Sequence, residues 1–298
     1  MADGPLEHTT ALAALRAVAV ELAIQDARIE LLGPIADNAV FRLSGGIVAR
    51  VARSAVRDRA VREVRSGNWL AAQGVPAVRP VETIDQPVTT DGHVVTFWHE
   101  VRDASMASTA ELARLLRQLH HLPVPSNFEI PMLDPFVRLQ EHLADAEPAL
   151  SGADSRFLAE RLDELRHEYA QVSAGLPVCV IHGDANRKNA IRGSDGVAVL
   201  LDLERFSVGP REWDLVVSAV YLRLGWYDER EYDAFVGAYG WDIRSWDGFG
   251  VLAALREFRM TAWLLSRLVR EPRLKDETDR RIASLRHPDA PRSWTPGT

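Results

Sequence analysis

The sequence predicts an α+β chain in two parts, a small N-terminal lobe built on an antiparallel sheet with a helix, and a larger, mainly helical C-terminal lobe. Three observations carry this reading. Short β-prone runs separated by turn residues fill the first third of the chain. From Ser105 onward apolar residues recur three or four apart, the helical period. Between 177 and 204 two short apolar runs interrupt those helices around a polar loop. The expected division is 1–98 as the first lobe and 99–298 as the second, with residues 98–102 as the connector.

The elements follow in order. TTALAALRAVAVELAIQ (9–25) reads as a helix, with Leu12, Leu15, Val18 and Leu22 at helical spacing and Thr10 placed to cap it. ARIELLG, NAVFRLS and IVARVAR are strand-like, and Gly45-Gly46 between the last two signals a hairpin. SAVRDRAVREVRSGNWLAAQG reads as a helix with Ser54 at its start, Gly74 just past its end, and Val56, Ala60, Val64 and Leu70 on one side. PAVRPVETI and HVVTFWHEV supply two more strands. Helices are then expected in ASTAELARLLRQLHHL, FVRLQEHLADAEPAL and DSRFLAERLDELRHEYAQVSAG. After the interruption they resume in WDLVVSAVYLRLG, REYDAFVGAYG and VLAALREFRMTAWLLSRLVREP. The proline-rich tail HPDAPRSWTPGT is expected to lie across the surface or to be loose.

Composition excludes several functions. A chain 47% hydrophobic and 26% charged is an ordinary globular one, and its net charge of -7 argues against nucleic acid as a partner. Cys179 is the single cysteine, so no intrachain disulfide and no cysteine-based zinc or iron–sulfur site can form. The N-terminus lacks the basic start and long apolar run of a secretory signal, and no stretch is long enough to cross a bilayer. The expectation is a cytoplasmic protein with no membrane partner.

The stretch VIHGDANRKNAIRGSDGVAVLLD carries the chemistry. Asp184 ends one apolar strand, Asn189 lies on the loop that follows, and Asp202 ends the next strand. A hairpin with those ends would bring the three oxygen side chains to one rim of a cleft. Carboxylate and amide oxygens suit a hard cation such as Mg²⁺, which keeps some waters and completes its shell with substrate phosphates. HGDANRKN has the H-x-D-x-x-x-x-N spacing of a protein-kinase catalytic loop, with Gly183 where protein kinases carry arginine.

HGDANRKNAI followed by VLLDLERFSVGPREWDLV resembles the aminoglycoside phosphotransferase and choline kinase family of small-molecule kinases, whose protein-kinase-like two-lobe fold the chain is then expected to share. The resemblance implies a transferase that moves the γ-phosphoryl group of ATP or GTP to a hydroxyl of a small acceptor, with Mg²⁺. It makes Asp184 the catalytic carboxylate that orients the hydroxyl or accepts its proton, His182 its support in the catalytic loop, and Asn189 and Asp202 the metal-holding pair. Asp214, in REWDL, would brace the loop and the following helix from below. NAVFRLSGGIVARVAR resembles the nucleotide-covering loop and the strand after it, so Arg50 takes the place of the phosphate-contacting lysine and Glu63 that of its helix partner. Asn38 is a candidate for phosphate contact, and Trp98, Glu100 and Val101 of the connector are candidates to meet the purine through backbone groups. Two departures stand out: the covering loop has only Gly33 where protein kinases have several glycines, and DLE replaces D-F-G.

Other readings compete at particular residues. Arg50 with Glu63 also reads as a surface ion pair. His120 and His121 read as packing and capping residues rather than metal ligands, and Trp213, Trp226, Trp241, Trp246 and Trp263 as core or pocket wall. For the acceptor, the acids Asp228, Glu229, Asp242, Asp247, Glu257 and Glu271 are candidates to meet a cationic group, with Glu257 the most suggestive unless it pairs with Arg256 or Arg259. An aminoglycoside, an aminosugar, a plain sugar, an amino alcohol or homoserine all remain open. The alternative class is a catalytically silent kinase-like scaffold that binds nucleotide; a metal-dependent hydrolase would need a fuller ligand set than HGD supplies.

Overall fold

The computed structural model describes residues 6–24, 28–287 and 289–296. Gln25 of the expected first helix, Ala27 of the first strand-like segment, the start of the N-terminal lead, and Pro288, Gly297 and Thr298 of the tail lie outside the described residues.

In chain order the elements are α1 (His8–Glu21), β1 (Glu30–Leu31), β2 (Asn38–Leu43), β3 (Ile47–Arg53), α2 (Arg57–Ala72), β4 (Val88–Thr90), β5 (His93–His99) and β6 (Ser105–Met106). They continue with α3 (Thr109–Leu119), α4 (Leu139–Ala146), α5 (Gly152–Ala170), β7 (Cys179–Ile181), β8 (Ala190–Arg192), β9 (Ala198–Leu200) and β10 (Ser207–Gly209). The last are α6 (Glu212–Arg223), α7 (Glu229–Tyr239), α8 (Phe249–Leu265) and α9 (Lys275–Arg286). The architecture is α+β, with an N-terminal antiparallel sheet and a helical C-terminal part. Contacts divide the chain into one unit of Met1–Ala107, Pro125–Ile130 and Arg187–Phe206, and a second of Ser108–Val124, Pro131–Asn186 and Ser207–Thr298.

In the first unit five strands pair antiparallel in the order β1-β2-β3-β5-β4. Alternation along each strand sorts the two faces. Ala39, Phe41, Leu43, Ala49, Val51, Val95 and Phe97 join Ala11, Leu15 and Val18 of α1 in one apolar core. The intervening residues face the other way, where Ala52 and Val94 pack with Ala60 of α2. Asn38, Arg50 and Thr96 share the parity of that second face, which is how a short alternating strand delivers a charged side chain beside a helix. Gly45 and Gly46, at φ of 78° and 76°, make the turn that returns β2 into β3.

Some expectations are corrected here. Thr10 does not cap α1: the helix begins at His8 after Glu7, and the Thr10 hydroxyl donates to Glu7 O at 3.0 Å. Ser54 opens a 3₁₀ turn, Ser54–Val56, and α2 starts only at Arg57. PAVRPVETI forms only isolated bridges at Ala77 and Pro80, because Pro76 and Pro80 have no N–H to give a ladder; the edge strand is β4 instead. The apolar runs ending near Asp184 and Asp202 do not pair with each other. β7 pairs with β10, and β9 pairs with β8 just after Asn189.

The second unit is helical around the β7–β10 ladder. Leu139, Leu158, Leu162, Leu165, Ile181, Trp213, Leu255, Phe258 and Leu265 form its core. α6 carries no polar stripe, being buried from Glu212 to Val220. α9 was not legible as a helix because its buried face is polar: Glu277, Thr278, Arg281 and Ser284 accompany Ile282. The tail is held against it. Trp294 is 3% exposed, its Nε1 donates to Ser284 Oγ at 2.9 Å, and Thr295 N donates to Glu277 Oε1 at 2.9 Å. Trp263, expected as core or pocket wall, is 47% exposed with the Arg267 guanidinium over its ring.

Candidate active site

The first unit assembles a row of charges on the α2 face of its sheet. Arg50 Nη1 donates to Glu63 Oε2 at 2.8 Å, and the glutamate side chain is only 7% exposed. A second pair runs alongside, Arg59 Nη1 to Glu204 Oε1 at 2.6 Å, tying α2 to the turn after Asp202. Asn38, Arg50, Arg59, Glu63 and Thr96 line one small pocket. Burial pushes the Glu63 carboxyl above its ordinary range despite Arg50, and the charges of Asp202 and Glu204 push it the same way. The surface-pair reading of Arg50 and Glu63 therefore does not describe a buried glutamate in a pocket with two further carboxylates in electrostatic reach.

The β8–β9 hairpin places the expected metal pair together. Ala190 faces Leu200, and Leu201 N donates to Asn189 O at 2.8 Å, so Asn189 and Asp202 leave the same open end of the hairpin. Asp202 is exposed and held at φ 54°, ψ 68°, a left-handed conformation that a non-glycine residue adopts at a cost. The oxygen donor set fits a hard divalent cation, and the surplus of Glu63, Asp202 and Glu204 over Arg50 and Arg59 is one that a cation would relieve.

The connector residues are placed as follows. Trp98 is buried, its Nε1 donating to Thr96 Oγ1 at 2.9 Å, and its backbone is paired with Val48 of β3. The Glu100 amide donates to Gly46 O at 2.8 Å and its carboxylate takes Arg42 Nε at 2.6 Å. Val101 is half-buried near Gly193.

In the second unit the HGD loop hangs from one buried carboxylate. Asp214, at 0% exposure, accepts His182 N at 2.7 Å and His120 Nε2 at 3.0 Å on Oδ2, and Gly183 N at 2.8 Å on Oδ1. His120 reaches on to the Tyr239 hydroxyl at 2.8 Å, and Trp213 Nε1 donates to Gly183 O at 3.0 Å. The loop is thus pinned by its backbone, with glycine at φ 83° in its middle. His182 is fully buried and its Nδ1 accepts the Asp184 N–H at 3.3 Å, so this imidazole acts through the loop and does not meet a ligand. His121 caps, its Nδ1 lying 2.6 Å from Arg117 O.

Two partners of Asp184 were not anticipated. Arg256 Nη2 of α8 donates to Oδ1 at 2.9 Å, and Asn186 Nδ2 donates to Oδ2 at 3.1 Å. Burial alone would raise the Asp184 carboxyl, but Arg256, His182 and Asn186 together hold it below the ordinary aspartate range. Asn186 lies two residues from Asp184 and was legible as a local polar neighbour; Arg256 had no sequence signal that set it apart from Arg259. Glu257, the suggested acceptor acid, is 1% exposed and pairs with Arg292 at 2.9 Å and Arg223 at 3.3 Å, not with Arg256 or Arg259. Arg259 instead donates to Pro135 O at 2.6 Å.

Residues 28–249 match the family model of the APH phosphotransferase enzyme family. No curated protein matches the sequence. Among solved structures the chain is similar to a choline/ethanolamine kinase family protein from Mesorhizobium loti, at TM-score 0.65 and 19% identity over 93% of each chain. It is similar to the amicoumacin kinase hAmiN in complex with AMP-PNP, Ca²⁺ and Ami, at TM-score 0.69 and 13% identity over 97% of this chain and 98% of that one. The GDP and kanamycin complex of APH(2")-IIia follows at TM-score 0.66 and 17% identity over 93% and 99%. No helix among the described residues is long and apolar enough to cross a membrane. The chain belongs to the APH phosphotransferase enzyme family, and is a small-molecule kinase of the fold shared by choline kinases and aminoglycoside phosphotransferases.

Proposed function

We propose that the protein transfers the γ-phosphoryl group of ATP or GTP to a hydroxyl of a small molecule, in the cytoplasm and with Mg²⁺. The observation that carries this is the paired exit of Asn189 and Asp202 from one hairpin end, in the unit that also holds the buried Arg50–Glu63 pair. Asn189 and Asp202 would hold the cation through their side-chain oxygens; when bound, it neutralises charge on the nucleotide phosphates. Arg50, oriented by Glu63, supplies a fixed guanidinium to the α- and β-phosphates, and Asn38 in the same pocket supplies an amide. Backbone groups of Glu100 and Val101 are assigned to the purine; that of Trp98, expected there too, is paired with Val48.

Asp184 receives the acceptor hydroxyl. A loose transition state asks for an oriented carboxylate more than a strong base, so a carboxyl held low by Arg256 suits the task. Its proton-accepting oxygen is kept in place by Asn186 and by a loop whose amides Asp214 ties down. The acceptor O–H bond breaks, its oxygen bonds the γ-phosphorus, the bridging P–O bond breaks toward the nucleoside diphosphate, and the proton leaves by way of Asp184.

The test is a screen of ATP and GTP with Mg²⁺ against aminoglycosides, aminosugars, sugars, amino alcohols and homoserine, with Asp184→Ala as control. Transfer that disappears in the variant supports the reading. Nucleotide binding with no Mg²⁺-dependent turnover of either nucleotide would instead favour the silent scaffold.

A further inference from the structure

Asp202 is suspended between two anchors in the first unit. On its upstream side the Leu201 amide is fixed to Asn189 O at 2.8 Å. On its downstream side the chain folds into the 3₁₀ turn Leu203–Arg205, and the attachments there run to α2. Glu204 Oε1 accepts from Arg59 Nη1 at 2.6 Å, and the Phe206 ring lies 6.1 Å from that of Trp69. The Asp202 carboxylate does not cap the turn it opens, and its left-handed backbone is one that a non-glycine residue keeps only where its surroundings over-determine it. The Arg59–Glu204 pair is part of those surroundings. Its side chains are 22% and 19% exposed, so it is not the fully solvated kind of pair that contributes little.

Arg59 stands one helical turn before Glu63 on α2, so the two share a face, and both line the pocket that holds Arg50. The helix is tied through Glu63 to the strand that carries Arg50, and through Arg59 to the turn that follows Asp202. Charge and position then act in opposite directions. By charge alone a guanidinium here opposes a cation at Asp202, since it offsets one of the three carboxylates Glu63, Asp202 and Glu204. By position it supports that cation, because it holds the turn from which Asp202 projects.

We infer that Arg59 is a positioning residue for the cation end of the site: through Glu204 it sets the turn that presents Asp202, and α2 thereby couples that turn to Arg50. This rests on the phosphotransferase reading of Asn189 and Asp202, and adds to it a residue that acts through another.

The experiment measures the dissociation constants of ATP and GTP by titration calorimetry, with Mg²⁺ and with EDTA, and takes their ratio as the gain due to the cation. A misfolded fraction lowers the number of sites and leaves that ratio unchanged, so a fold defect does not mimic the effect. We expect Mg²⁺ to tighten nucleotide binding to the wild type by about tenfold or more. Arg59→Gln should cut that gain by about fivefold or more. So should Arg59→Gln with Glu204→Gln, which removes the pair with no change in net charge. Arg59→Lys should keep most of the gain. In Asp202→Ala, where the gain is already lost, adding Arg59→Gln should change nothing further. A gain larger than the wild type's in Arg59→Gln would show a guanidinium that only repels the cation or masks Glu204 from it, and overturns the inference. A gain in the double variant equal to the wild type's also overturns it. Equal loss of affinity with and without Mg²⁺ would make Arg59 a phosphate contact, and overturns it as well. The wild type decides the underlying reading separately: nucleotide binding indifferent to Mg²⁺ there removes the cation from Asn189 and Asp202, and this inference with it.

Discussion

Asp214→Ala is the perturbation whose cost follows most directly from the geometry. The carboxylate is fully buried and receives three donors, the amides of His182 and Gly183 and the His120 imidazole, at 2.7, 2.8 and 3.0 Å. Its removal strands all three in a place that water does not reach, and each stranded buried donor costs about 1–3 kcal/mol. The three are neighbours on one group, so their costs are less than additive, and we expect a loss of about 3–6 kcal/mol. Asp214→Asn keeps the volume but turns an amide toward a donor, and should fall between that variant and the wild type. Urea unfolding at neutral pH measures both, with the slope checked for constancy so that the midpoint shift reports stability. The same variants should lose turnover beyond what their folded fraction explains, because the backbone that carries Asp184 is no longer tied. A loss below about 1 kcal/mol for Asp214→Ala would refute the claim that this carboxylate holds the loop.

Further outcomes follow from other residues. Asp202 sits at φ 54°, so Asp202→Gly should be about 1 kcal/mol more stable than Asp202→Ala, while both lose Mg²⁺-dependent turnover; thermal unfolding of the pair checks it. The Asp184 carboxyl lies below its unfolded-chain value of about 3.9, so the native state binds fewer protons there; its contribution is complete above about pH 4 and is lost as pH falls below that. Asp184→Asn should therefore show a shallower fall in urea midpoint than the wild type between pH 5 and pH 3, and an identical fall would contradict the assignment. Arg50→Ala strands the Glu63 carboxylate, so it should both raise the nucleotide KM and destabilise; a double-mutant cycle with Glu63→Gln should show coupling of about 1–3 kcal/mol. A change in stability with KM unmoved would remove Arg50 from the nucleotide.

Much of this was legible because the signals are local. The H-x-D-x-x-x-x-N spacing is contiguous, the Gly45-Gly46 turn lies between alternating runs, and strand parity alone puts Arg50 opposite the face of Val51. The pairing of strands was not local: β7 and β9 are both short and apolar, and nothing in their residues says that their partners are β10 and β8. Arg256 lies 72 positions from Asp184 in a run that also holds Arg259, and only the rotation of α8 decides which of them meets the carboxylate. α9 was missed for a different reason. Its buried positions satisfy one another through Arg281, Glu277 and the Thr295 amide, so no apolar period marks the helix.

The central claim is a division of labour between Asp184 and Asp202, and nucleotide binding tests it without knowledge of the acceptor. Titration of ATP and GTP into the wild type, Asp184→Ala and Asp202→Ala, with and without Mg²⁺, separates the two roles. The account predicts Mg²⁺-dependent binding that Asp184→Ala retains and Asp202→Ala loses, with turnover gone in both. Binding that is equal in all three proteins and indifferent to Mg²⁺ would contradict it.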